Sequence, residues 1–125
     1  MLTLFVLKSG APDADADRAE KSFAEIALKM IRVDSLKDIY QHNIDTLWYG
    51  IIYDNEQADM LLQTALPVFL AYSNADVMIL FKKNSNGKAS RAPRIFKQGI
   101  AVRTDCLLPV NEAAIFDSVL NGWLL

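Results

Sequence analysis

The sequence predicts an α/β domain, a three-layer α/β/α sandwich with a mostly parallel sheet and a C-terminal β-hairpin region. Three observations carry this. Short apolar runs (LTLFVLK, TLWYGIIY, VMILFK) are separated by stretches of helical spacing, the pattern of strands joined by parallel crossovers. The 125 residues are 52% hydrophobic and 22% charged, which suits one packed domain spanning 1–125 rather than a disordered chain. The central run, Thr46 to Glu56, is apolar until it stops at Asp54-Asn55-Glu56, as a strand buried on both faces does.

The elements follow in order. Leu2 to Lys8 reads as a first buried strand, and Ser9 to Asp17 as turn and helix-capping chemistry. Phe23, Ile26, Ala27 and Met30 fall on one helix face, so a helix is expected over Arg18 to Met30. Asp15, Asp17 and Glu20 near its start suit the helix dipole. Ile31 to Asp34 fits a short strand, and Leu36 to His42 a short helix capped by Ser35. After the central strand, Gln57 to Tyr72 carries a helix signal, with Pro67 predicting a kink or break near Leu66. Val77 to Lys82 reads as another apolar strand, and Asn86-Gly87 as a tight turn. Ala92 to Phe96 and Ile100 to Arg103 read as short strands, and Glu112 to Trp123 as a terminal helix.

Composition excludes several classes. No apolar run reaches the length of a membrane span. The apolar start has no basic segment before it and no small-residue cleavage site, so a strand is expected there rather than a signal peptide. Cys106 is the only cysteine, which rules out an internal disulfide and suits a reducing, cytoplasmic setting. One His and one Cys exclude a Cys/His zinc site within one chain, and no Ser/His/Asp triad can be assigned. Charge is segregated. Lys82, Lys83, Lys88, Arg91, Arg94, Lys97 and Arg103 form a run of bases uninterrupted by any acid, whereas residues 1–76 are acidic on balance. The two parts are expected to face each other across a cleft. A pI near 5.3 and few aromatics among the bases argue against nucleic acid.

Candidate site residues follow from strand ends, where open α/β sheets bind ligands. Alternate residues of a strand share a face, so Asp54 and Glu56 are expected to converge on one hard cation, which takes oxygen ligands. The same Asp-Asn-Glu also suits a turn and the cap of the following helix. Arg91 and Arg94 are the better phosphate ligands of the basic run, because guanidinium binds bidentately. A solvated hairpin with edge lysines is the alternative for that run. His42 fits a helix C-terminus, Asp34 and Asp45 fit capping or a ribose contact, and Cys106, Trp48, Tyr49 and Tyr53 fit the core.

The ordered set WYGIIYDNE, ALPVFLAY, ADVMILFKK, RAPRIFKQGIAVR and a tail ending NGW resembles small glycosyltransferases of the GT-A, or nucleotide-diphospho-sugar transferase, type. The resemblance implies a first strand ending at a nucleotide site, with Val6, Lys8 and Ser9 near nucleobase and ribose. It also implies an Asp-X-Asp-like motif, here Asp54 and Glu56, holding Mg²⁺ or Mn²⁺ on a sugar-nucleotide diphosphate. The activity implied is sugar transfer to an unknown acceptor. A non-catalytic binding or assembly module on the same fold is the alternative, and apolar helices on so small a domain suit a homodimer.

Overall fold

The computed structural model describes residues 1–125. Six strands form one sheet: β1 (Leu2–Leu7), β2 (Ala27–Val33), β3 (Trp48–Tyr53), β4 (Val77–Lys83), β5 (Ala89–Lys97) and β6 (Phe116–Ser118). Their spatial order is β2-β1-β3-β5-β4-β6. β1 is parallel to both β2 and β3, and β4 is parallel to β6, whereas β5 is antiparallel to β3 and β4. The α/β class therefore holds, with a mixed sheet. All six residues of β1 are buried, as expected of a strand flanked on both sides and covered on both faces.

Two α-helices accompany the sheet, α1 (Asp13–Ser22) and α2 (Met60–Tyr72). Both pack on the same face. Ala19 and Phe23 at the end of α1, and Leu62, Leu66 and Leu70 of α2, meet Leu2, Leu4, Val6, Trp48 and Ile52. On the opposite face Phe5, Leu7, Tyr49, Ile51 and Phe96 are covered by Ile39 of a 3-10 helix (Leu36–Gln41) and by Val102 and Ala114 of irregular chain. Two tyrosine hydroxyls hold that irregular cover in place. Tyr49 donates to the Ile100 carbonyl and Tyr40 to the Val102 carbonyl. The third layer is thus coil and one 3-10 helix rather than a set of α-helices.

Several boundaries differ from expectation. α1 starts earlier than predicted and ends at Ser22, and the apolar residues assigned to it from Ala27 onward belong to β2. Pairing with β1 wins there, because the register Thr3 to Lys29 through Leu7 to Val33 satisfies the backbone of both strands. α2 is capped by Asp59, whose carboxylate accepts from the Leu62 N–H at 2.9 Å, so Asp54 and Glu56 do not cap it. It runs unbroken through Pro67. Residues 100–103 form only an isolated bridge, Val102 to Pro109. The expected helix over Glu112 to Trp123 is absent. β6 occupies its middle, and Gly122 adopts φ +96°. The tail instead exchanges backbone hydrogen bonds with residues near the start of α2 and with β4, including Leu125 with Gln57 and Leu124 with Phe81 and Lys83.

One irregularity positions the chemistry. β5 pairs Ile95 with Met78 and Pro93 with Ile79, leaving Arg94 as an extra, bulged residue. Proline inside a strand is tolerated at such a bulge because its missing N–H is not needed there. On its other side, β5 pairs with β3 only from Lys97–Trp48 to Ile95–Gly50. Beyond that point the two strands have no ladder pairs, and a wedge opens between them.

Candidate ligand cleft and the ion cluster beside it

The carboxyl ends of β1, β2 and β3 border a cleft of about 170 Å³ together with the start of α1. Val6, Val33, Ala11 and Ala16 supply its apolar lining, and Lys8, Asp13, Arg32, Asp34 and Asp54 its charged groups. The chain leaves β1 for β2 on one side, and β3 lies on the other. That reversal of strand order is where open α/β sheets leave room for ligands. Two of the nucleotide residues expected from the sequence, Val6 and Lys8, are brought together here, and the third, Ser9, is hydrogen-bonded to Asp54.

Asp54 follows β3 directly and is 5% exposed. Its Oδ1 accepts from the Ser9 N–H at 3.2 Å and from the Ser9 hydroxyl, tying the loop after β1 to the end of β3. Its Oδ2 accepts no hydrogen bond within the protein, and the residue lines the cleft. Arg32 is less available. Glu20 accepts from its Nε and Nη2 at 2.9 Å each, and Asp17 from Nη2 at 2.6 Å. Those hydrogen bonds, Glu20 first and then Asp17, raise its pKa further and keep it a cation.

Glu56 departs from the expected role. The strand ends at Tyr53 and a turn follows, so the rule that alternate residues share a face no longer applies at Glu56. Its carboxylate lies in the wedge between β3 and β5, 2% exposed. Arg94 binds it through both terminal nitrogens, Nη2 to Oε2 at 3.0 Å. Lys82 Nζ lies 3.3 Å from Oε2, and the Tyr53 N–H donates to Oε1 at 2.7 Å. The Arg94 guanidinium also sits over the Tyr53 ring, 5.2 Å from its centroid, a cation–π contact. The acidic first part and the basic later part of the chain do meet, in this buried cluster rather than across an open cleft.

These placements correct two expectations. Glu56 is engaged by two cations and a backbone N–H, so it does not converge with Asp54 on a shared ion. Arg94 is committed to Glu56 and Arg91 is exposed, and neither lines the cleft. No three or more His, Cys, Asp or Glu side chains are grouped so as to hold a metal by themselves. A divalent ion in the cleft would have Asp54 as a carboxylate ligand and would take the rest of its shell from phosphate and water, the usual habit of Mg²⁺. The cleft's own side chains do not fit an all-protein cage.

Of the remaining candidates, Asp34 lies in the cleft, whereas Asp45 and His42 do not. The His42 ring instead rests against Phe5 at 5.8 Å. Trp48 and Tyr49 are core residues as expected, and Trp48 Nε1 donates to the Leu70 carbonyl at 2.9 Å. Cys106 is half-buried rather than enclosed. Sequence reasoning missed Asp13 and Arg32 as cleft residues and Lys82 as a partner of Glu56. Arg32 lies in the stretch Ile31 to Asp34 that reads as a strand, one residue before the end of β2, and that position was a usable signal.

No protein-family model matches the chain, and no curated protein matches its sequence.

Proposed function

We propose that the domain binds a sugar nucleotide in the cleft at the ends of β1, β2 and β3, as a reduced GT-A-like glycosyltransferase. The observation that carries this reading is the placement of Asp54. Asp54, whose Oδ2 accepts no hydrogen bond within the protein, lines a small cleft at the reversal of strand order together with Lys8 and Asp34. In this reading Asp34 accepts from ribose hydroxyls, and Lys8 offers an ammonium to a phosphate. Asp54 would hold a divalent ion, which would offset the charge that develops on the leaving diphosphate. Val6 and Val33 would contact the apolar face of the nucleoside. The sugar then passes to an acceptor approaching from the open side.

A second reading, a non-catalytic binding or assembly module, is favoured by one observation. Glu56 is neutralised by Arg94 and Lys82, leaving a single carboxylate where two were expected. Thermal unfolding with UDP-, GDP- and CMP-sugars, with and without Mn²⁺, separates the two. A ligand at a hundred times its dissociation constant adds about 2.7 kcal/mol. A metal-dependent stabilisation that disappears in Asp54→Asn is the result expected of the transferase reading. No stabilisation by any of the three nucleotides would refute it in favour of the module.

A further inference from the structure

A second concavity, about 360 Å³ in volume, opens next to the β3–β5 wedge and shares no lining residue with the nucleotide cleft. Tyr53, Lys82, Ser90, Arg91, Arg94 and Cys106 form its working surface. Three features of this groove call for a ligand of negative charge.

The first is the charge balance. Three cations line the groove. One of the two acids, Glu56, is buried behind them, and the other, Asp105, lines the groove but lies 3.4 Å from Arg103, outside it. Arg91 has no acidic partner. The second is the number of unused donors. A guanidinium carries five N–H groups and an ammonium three. Glu56 takes only part of what Arg94 and Lys82 offer, and no side-chain hydrogen bond engages Arg91. The third is rigidity. Arg94 is 7% exposed, gripped by Glu56 and laid over the Tyr53 ring, and the bulge fixes its direction. The cost of ordering this cation is met in folding, so little is left to lose on binding.

The geometry points to this groove as an oxyanion site that takes the phosphate group of a small phosphorylated acceptor. Arg91 is its direct ligand, and Arg94 beside it presents its remaining N–H groups. Identifying the bound molecule as the acceptor rests on the transferase reading above, but the anion binding itself does not.

The test is an amide chemical-shift titration of the labelled protein with inorganic phosphate, with acetate and with chloride at matched ionic strength. Saturable shifts are expected for phosphate at Ser90 to Arg94 and at Cys106, with acetate weaker and chloride inert. Arg91→Gln, on an exposed strand position, should weaken phosphate by about tenfold, the scale of one charge-assisted hydrogen bond, with the rest of the spectrum unchanged. Absent or unsaturable shifts would overturn the proposal. So would shifts spread evenly over Lys83, Lys88 and Lys97, or an Arg91→Gln protein that binds as wild type does. A parallel titration with UDP-, GDP- and CMP-sugars and Mn²⁺, read at Lys8, Ser9 and Asp34, reports on the cleft alone. Phosphate bound in the groove with no response in the cleft would refute the transferase reading and leave the anion site standing.

Discussion

Replacing Glu56 by alanine tests whether that carboxylate is a structural counter-ion or a ligand held ready for metal. In the folded protein it accepts from Arg94, from Lys82 and from the Tyr53 N–H, at 2% exposure. Its removal leaves Arg94, itself 7% exposed, as an uncompensated cation in the wedge. Breaking a buried pair from one side costs about 3–5 kcal/mol. That is a large part of the roughly 5–15 kcal/mol by which a domain is stable. With an unfolding entropy of about 2.1 cal/mol/K per residue, a chain of this length loses about 11–19 °C in melting temperature. The assay is urea and thermal unfolding of wild type, Glu56→Ala and the double variant Glu56→Leu with Arg94→Met. The double variant should recover most of the loss, because an apolar pair of similar volume often matches a buried ion pair. A loss below about 1 kcal/mol in Glu56→Ala would refute this account, since the carboxylate would then carry no structural load. A stabilisation of wild type by Mn²⁺ alone that vanishes in Glu56→Ala would refute it equally, by restoring Glu56 as a metal ligand.

Gly122→Ala should destabilise by roughly 2–5 kcal/mol in urea unfolding, because the added Cβ meets the Leu62 backbone nitrogen at 2.1 Å and the residue sits at φ +96°. Asp59→Ala should cost about 1 kcal/mol by the same measurement, the usual loss for a helix cap. Burial, and then the neighbouring Tyr40, raise the Tyr49 pKa above its ordinary 10.0. Its neutral form is therefore favoured by folding. The associated stability is fully present below pH 10 and falls as pH rises from there toward the raised value. Stability measured from pH 8 to 11 should decline less steeply in Tyr49→Phe than in wild type, and parallel curves would contradict the assignment.

The sequence made the sheet centre legible because β1, β3 and β4 are apolar on both faces, a pattern that needs no knowledge of partners. It made α2 legible to within three residues at its start, and Pro67 did not break that helix. What it hid were features decided by pairing. Ala27 to Met30 continues a helical spacing, and only the presence of β1 beside it converts the stretch to a strand. Residues 112–123 contain a helix face, but their backbone groups bond to β4 instead, the Val119 N–H to the Ile79 carbonyl among them. The candidate site divides in the same way. Val6, Lys8 and Asp54 lie at or just beyond the ends of strands that could be read directly, and the structure gathers them in one cleft. Glu56 and Arg94 are separated by 38 positions and meet because one follows a turn and the other sits on a bulge. Neither device has a periodic signature. The bulge carried one local cue, Pro93 within the stretch Ala92 to Phe96 that reads as a strand, which marks a strand position that gives up its hydrogen bond. A basic residue next to such a proline is freed from the ladder's alternation. It can then turn toward a carboxylate that the strand rule had assigned to the opposite task.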